Sequence, residues 1–366
     1  MTATIEATDS PDGPDHESAA PVAAGAGATW STRLSSLGLS AAAVAAAFVL
    51  GGVLLALAGA NPFQAYADML SGTFGSRFNI SLVLVETAPL LLIGLGLAVA
   101  FRARVWNIGA EGQLLMGALA GGAFALYVPI GTRVVLIPAA CAVGALAGGA
   151  WGWVVGFLRA RWSVNEVISS LLLNYVALRI LEYTIRKPLR DPVGFQPVSE
   201  TLPDAARLPD IPGLRTHIGL LIGLALIPVV AYAMRRTPFG FHTRMMGLNR
   251  DATEAAGVRT GRLITAVMVV SGAFAGLAGI VQVMGPESRL TGNISPGFGF
   301  TAIIVALVAR TRPIGVLLAA VLIGALTLGG DVIQRTQQVP RVLTIVIQAL
   351  FVLLILVADK VGRRSR

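Results

Sequence analysis

The chain of 366 residues is 55% hydrophobic and only 13% charged, contains 42 glycines, and carries a net charge of +9. Apolar stretches of about 20 residues recur along its whole length, which excludes a soluble globular protein and indicates a polytopic membrane protein. The arginines cluster in short segments between the apolar runs, without aromatic interleaving, so the basic balance reflects the positive-inside pattern and no nucleic-acid partner is expected.

Residues 1–36 form the first unit. Positions 1–32 hold five acidic side chains and neither Lys nor Arg among many Ala, Gly, Pro and Ser, and such an acidic extension is expected to be disordered. It lacks the positive start and short apolar core of a signal peptide, so no cleavage is expected.

A transmembrane domain is expected over 37–358, and a basic cytoplasmic tail over 359–366. Candidate spans fall at 37–59, 80–101, 108–128, 134–158, 164–182, 217–234, 263–284, 297–310, 313–330 and 342–358. With the N-terminus inside, the inner segments hold 17 basic residues and the outer ones ten, five of them in the long outer loop 183–216. Both termini then face the cytoplasm. The expected fold class is an all-α polytopic membrane protein of about ten helices in the cell membrane. The segments 297–310 and 313–330 are short and meet at Arg310-Thr311-Arg312-Pro313, an interruption of the kind that marks broken helices in transporters. A weak internal echo joins Arg102-Ala103-Arg104, Ile108-Gly109 and Gly117-Ala118-Leu119 to Arg310-Thr311-Arg312, Ile314-Gly315 and Gly324-Ala325-Leu326.

Small residues at helical spacing point to close helix packing. Gly148, Gly152 and Gly156 share one face, and Gly272, Gly276, Ala273 and Gly279 follow similar spacing. Polar residues within apolar spans are candidates for a solute pathway. These are Asn107, Glu111 and Gln113 before and in the third span, and Glu166, Ser169, Ser170 and Asn174 in the fifth. Structural roles compete. Ser163 and Glu166 fit a capping box, Glu111 suits the positive end of a helix starting near Asn107, and Arg179 and Glu182 are spaced to pair.

The island from Arg235 to Arg262 holds six arginines and must leave the hydrocarbon, since a central Arg costs roughly 2.5–3.5 kcal/mol to insert. Within it Asp251 can cap a short helix, Glu254 takes the reciprocal capping-box position, and Gly257 suits the stop. This is either a docking helix shaped for a partner's groove or a solvated loop with one helical turn.

Several chemistries are missing. Neither Lys187 nor Lys360 follows a Gly-rich loop, and no nucleophile elbow or zinc-protease motif occurs. The three histidines are scattered and Cys141 is single, so neither a metal centre nor a disulfide is expected. The chain itself is therefore expected to be no enzyme and to hold no cofactor. Any ATP and Mg would be bound by another polypeptide.

The stretch Phe101-Arg102-Ala103-Arg104-Val105-Trp106-Asn107-Ile108-Gly109-Ala110-Glu111-Gly112-Gln113 resembles the signature of ABC-importer permeases of the ribose/branched-chain-amino-acid type, nucleoside and simple-sugar branch. Val164-Asn165-Glu166-Val167-Ile168, Leu173-Asn174-Tyr175, Gly247-Leu248-Asn249 through Ala255-Ala256-Gly257, Ser271 to Gly279 and Gly297-Phe298-Gly299-Phe300 continue it in order over about 37–358. Thr301-Ala302 departs from the Asp-Gly that such permeases commonly carry there. The resemblance implies a subunit that pairs with a second homologous permease, ATP-binding cassette subunits and an extracytoplasmic substrate-binding lipoprotein. It implies a coupling helix at Asp251, Glu254, Ala255, Ala256 and Gly257. The expected cargo is a nucleoside or simple sugar, with Phe298 and Phe300 as rings along the path. The rival expectation is a proton-coupled transporter or channel using Glu86, Glu111 or Glu166.

Overall fold

The structure is a computed structural model that describes residues 30–364. Most of the acidic extension and the last two residues of the basic tail lie outside the described residues. Thirteen α-helices and no strand occur among the described residues. They are α1 (Trp30–Leu57), α2 (Pro62–Phe74), α3 (Arg77–Arg102), α4 (Ala110–Tyr127), α5 (Arg133–Trp162), α6 (Glu166–Arg186), α7 (Gly219–Arg236), α8 (Pro238–Leu248), α9 (Arg250–Ala255), α10 (Thr260–Gln282), α11 (Phe298–Val308), α12 (Pro313–Thr336) and α13 (Arg341–Arg364).

Each of the ten expected spans coincides with one helix. Six helices are long and apolar enough to cross a membrane by themselves, or seven spans if the pair α1–α2, bent by 115°, is one. The chain is thus a multi-pass membrane protein. The helices α2, α8 and α9 are additional. The first two open with a proline in the first turn behind a side-chain cap, Asn61 and Thr237 respectively, which fixes where they start.

Helix α3 is the axis of the bundle. From Thr87 to Ala100 every residue is buried, the pattern of a helix apolar all round and packed on every side. Helices α4, α5 and α10 form a tight group beside it, with α5 and α10 in the most extensive contact. Glycine explains that intimacy, since Gly148 on α5 and Gly272 and Gly276 on α10 set backbone against backbone at the crossing. A Cβ added at Gly148 would lie 2.6 Å from the Gly276 Cα, and one at Gly156 would lie 2.8 Å from the Thr265 Cα. Backbones in contact gain dispersion along their whole length, which matters where lipid removes the hydrophobic drive. Replacing Gly276 with Leu is therefore expected to force α5 and α10 apart and to cost about 3 kcal/mol or more. Loss of the monodisperse peak in fluorescence-detected gel filtration checks this.

A second layer, α1, α2 and α13, packs through aromatic side chains instead. Phe48 meets Tyr66 and Phe351 edge-on at 5.1 and 4.6 Å, and the Tyr66 hydroxyl donates to the Phe48 carbonyl. Between α6 and α7 the long loop covers one end of the bundle. It is pinned by Leu202 N–H to the Ser288 carbonyl and Leu208 N–H to the Met284 carbonyl.

The two Arg-x-Arg corners use the same turn, but two residues out of register with the sequence echo, Arg104 rather than Arg102 standing where Arg310 does. Arg104 and Arg310 both take left-handed φ values of 54° and 51°, and each follows a helix whose last carbonyls are closed by the same backbone pattern, Val105 N–H to Ala100 and Thr311 N–H to Ala306. They also touch, the Arg102 Nε–H donating to the Thr311 hydroxyl at 3.3 Å. After the corners the echo diverges. Helix α12 starts at Pro313 directly, whereas the chain after Arg104 stays extended until α4 begins at Ala110.

Candidate functional site

Two helices begin at mid-depth. Ser271 lies eleven residues into α10, roughly 16 Å from its start at 1.5 Å per residue, and Asn107 donates to its hydroxyl at 2.9 Å. Helix α4 therefore starts well inside the bundle. Helix α11 has only eleven residues, about 16 Å, so its first turn reaches similar depth from its Arg310 end.

Helix starts inside a membrane leave N–H groups that need acceptors, and the sequence supplies them in trans. Asn174 of α6 accepts from Gly112 N–H at 2.8 Å and donates to the Ile108 carbonyl at 2.9 Å. The Ser170 hydroxyl accepts from Ile108 N–H, and Asn107 accepts from Gly109 N–H and from the Gln113 side chain. The Glu111 carboxylate accepts from Gly299 N–H at 2.7 Å, so it caps α11 across the junction rather than serving its own helix alone. Four sequence candidates, Asn107, Gln113, Ser170 and Asn174, are thus buried and spent on one another or on backbone. Asn174→Leu would orphan both Gly112 N–H and the Ile108 carbonyl. It is expected to cost about 2–4 kcal/mol, read as a fall in thermal midpoint in detergent.

The remaining candidates of the fifth span sit at its start. Glu166 pairs with Arg159 at 3.2 Å, and the Ser169 hydroxyl donates to the Asn165 carbonyl. The cap of α6 is Asn165, which accepts from Val167 and Ile168 N–H, not Ser163. Ser163 takes a left-handed φ of 54° and ends α5, which leaves the next free acceptor to start α6. Arg179 and Glu182 pair as expected, at 2.6 Å.

A cavity of about 290 Å³ lies between α3, α11, α12 and α13, with most of its polar lining in the half of the bundle away from the arginine corners. Pro296 and Phe298 line it at mid-depth, and Thr301 and Ile304 continue it along α11; Phe300, the other candidate ring, is not among the lining residues. Higher up stand Glu86, Asp331, Arg341, Thr327, Thr344 and Gln348. Glu86 is sixteen residues from Arg102, about 24 Å along α3, and Asp331 eighteen from Pro313, about 27 Å along α12. Pro89 inside α3 leaves the Val85 carbonyl, next to Glu86, without its helical donor. Neither carboxylate has a hydrogen-bond or ion-pair partner among the described residues, and both are only partly exposed. Acceptors held half-buried and unfilled beside an empty volume suit a guest that brings hydroxyl or amine donors. Of this group only Glu86 and Phe298 stood out in the sequence. Asp331 sits where a span end was expected, and Arg341 just before the last span.

At the opposite end, α8 and α9 form the surface segment. Asn249, not Asp251, caps α9, its Oδ1 accepting from Ala252 N–H at 3.0 Å, so Asp251 falls in the first turn. Glu254 does not reach back to a cap. It pairs with Arg250 at 3.1 Å and accepts from the Thr260 hydroxyl, tying α9 to the start of α10. The Thr260 hydrogen bond and then Arg250 hold its carboxyl below the usual carboxylate range. A depressed folded-state value means the tie is complete above the ordinary carboxylate value and is lost only as pH falls below it. Gly257 has φ +83° and closes the helix, with Val258 N–H bonded to the Thr253 carbonyl. Ala255 and Ala256 are exposed beside it. Gly247 of α8 lies against the Arg102 carbonyl with no room for a side chain. Contacts therefore run from α9 through α8 and Arg102 to Thr311 and the foot of α11.

Residues 79–357 match the family model described as branched-chain amino acid transport system / permease component. The chain is 37% identical to a glucose ABC transporter permease of Haloferax volcanii, over 86% of each chain. It is 32% identical to a guanosine ABC transporter permease of Bacillus subtilis, over 88% of this chain and 94% of that one. A nucleoside ABC transporter permease of Lactococcus lactis is 31% identical, over 84% and 87%. No solved structure matches the chain.

Proposed function

This chain belongs to the family of branched-chain amino acid transport system permease components, and from that membership we propose that it is the membrane-spanning subunit of an ATP-driven importer of nucleosides or simple sugars. The observation that carries the substrate class is the cavity with Glu86 and Asp331 as unfilled acceptors. Two carboxylates against one guanidinium disfavour a phosphorylated guest and favour a neutral one rich in hydroxyls. The names of the relatives, a glucose permease and two for guanosine or nucleosides, support the same class.

In this reading both termini and α9 face the cytoplasm, and the cavity opens outward to receive solute from an extracytoplasmic binding lipoprotein. ATP-binding subunits grip α9, with Asp251, Glu254, Ala255, Ala256 and Gly257 at the contact. Their closure pushes through α8 and the Arg102–Thr311 tie on α11, which lines the cavity with Phe298, Thr301 and Ile304. The polar junction of Asn107, Glu111, Gln113, Ser170 and Asn174 adjoins the start of α11 and forms the lower path once α11 moves. Glu166, Ser169 and Phe300 flank that lower path. A second homologous permease completes the pore; Bacillus subtilis carries two guanosine permeases similar to this chain, which supports a heterodimeric pair.

The test is uptake of labelled guanosine and glucose into proteoliposomes holding the full complex. Uptake is expected to require ATP and the binding protein, and this chain alone should hydrolyse none. Uptake without ATP, driven by a pH gradient, would replace this reading with proton coupling through the intramembrane carboxylates.

A further inference from the structure

A second groove lies at the arginine end of the bundle, on the outer side of α5 and α10, far from the cavity and from the mid-depth junction. Its volume is about 720 Å³. Ala160, Gly261 and Ala266 are too small to fill the angle between the helices, and Val269 and Val270 continue it along α10. Val270 is ten residues past the start of α10, so the apolar trough runs about 15 Å into the membrane span. At its mouth stand Arg161, Arg259 and Arg262, all exposed and none within an ion pair among the described residues. No acidic side chain lines it.

The same face carries an aromatic ladder. Trp153 stacks on Phe157 at 5.1 Å, Phe157 meets Trp162 edge-on at 5.5 Å, and the two tryptophans are 48% and 60% exposed. Trp162, at the end of α5, marks the level of lipid headgroups, and exposed Trp153, nine residues further in, faces the acyl region, so this face looks at the bilayer. Three unpaired guanidiniums above an apolar trough match one amphipathic shape, an anion on an acyl chain. An acidic surface of a soluble protein would satisfy the arginines but would leave 15 Å of apolar trough within the membrane uncovered.

We propose that the groove between the ends of α5 and α10 binds one anionic phospholipid, its phosphate held by Arg161, Arg259 and Arg262 and its acyl chain laid along Ala266, Val269 and Val270. The test is native mass spectrometry of the purified full chain with equal amounts of phosphatidylglycerol and phosphatidylcholine. One phosphatidylglycerol per chain should be retained in preference. Each basic contact contributes about a fivefold gain, so Arg161→Gln/Arg259→Gln/Arg262→Gln should weaken retention on the order of a hundredfold. Ala266→Trp, which fills the trough and leaves the arginines, should also weaken it, and Arg179→Gln should not. Millimolar inorganic phosphate should not displace the lipid, because it lacks the chain. Equal retention of both lipids, displacement by phosphate, or an unaffected triple variant with an unchanged gel-filtration profile would overturn the proposal. So would a triple variant that keeps its lipid but loses the ATP-binding subunits, which would make the face a protein contact.

Discussion

With Glu86→Gln and Asp331→Asn combined, uptake by the full complex is expected to fall at least about tenfold, while the variant still assembles with its partners. Each substitution replaces a carboxylate oxygen that accepts from a hydroxyl with an amide NH2 that cannot, which is expected to cost about 1–3 kcal/mol, yet keeps the side chain's size and place in the wall. A transient site holds its guest by few such bonds, so two weakened acceptors suffice. Arg341→Gln should act differently. Removing the only guanidinium of the cavity leaves its charge more negative and should not admit phosphorylated sugars or nucleotides. Concentration-dependent uptake of guanosine, glucose and their phosphates reads both variants. Wild-type uptake in the double variant would mean that solute bypasses this cavity, whatever the energy source.

Ala255→Trp with Ala256→Trp is expected to abolish uptake while the chain stays folded in the membrane. Both alanines are exposed and touch no core, so bulk there costs the chain itself little. The effect should appear on the partner side, as failure of the ATP-binding subunits to co-purify or as ATP hydrolysis no longer stimulated by solute. Gly257→Leu should impair uptake too, because a branched side chain at φ +83° strains the helix stop by roughly 1–2 kcal/mol and adds bulk at the edge of the docking face. Full transport by the double Trp variant would show that α9 docks on nothing.

The helices were legible because long apolar runs have few other uses: each of the ten expected spans falls on a helix, and six of those helices are long and apolar enough to cross a membrane by themselves. The caps were legible in kind but not in place. Asn249 and Asn165 took the roles expected of Asp251 and Ser163, since the cap is set by where the preceding segment stops turning, and a left-handed Ser163 is a tertiary outcome. The mid-depth polar residues stood out for the right reason, being costly in hydrocarbon. A single sequence does not reveal that Asn174 of α6 serves the start of α4, because the pairing depends on which helices lie side by side. The cavity was least visible. Glu86 and Asp331 are 245 positions apart, and only the packing of α3 on α12 brings their carboxylates to one volume.

The glycine seam between α5 and α10 has a mechanical consequence. Helices separated by side chains can slide a little as rotamers readjust, but helices in backbone contact have no such lubricant layer. The α4–α5–α10 group is therefore a stator, able to tilt as one piece but not to shear. Motion is then expected on the other side of α3, where the joints are aromatic and short α11 is held at one end by the Glu111 carboxylate, the Ser295 hydroxyl and the contact of Gly299 with the Glu111 backbone, and at the other by an Arg-Thr tie. Sequence drift along the seam should then be felt as seizure or collapse of the machine, and drift around α11 as a change in its stroke.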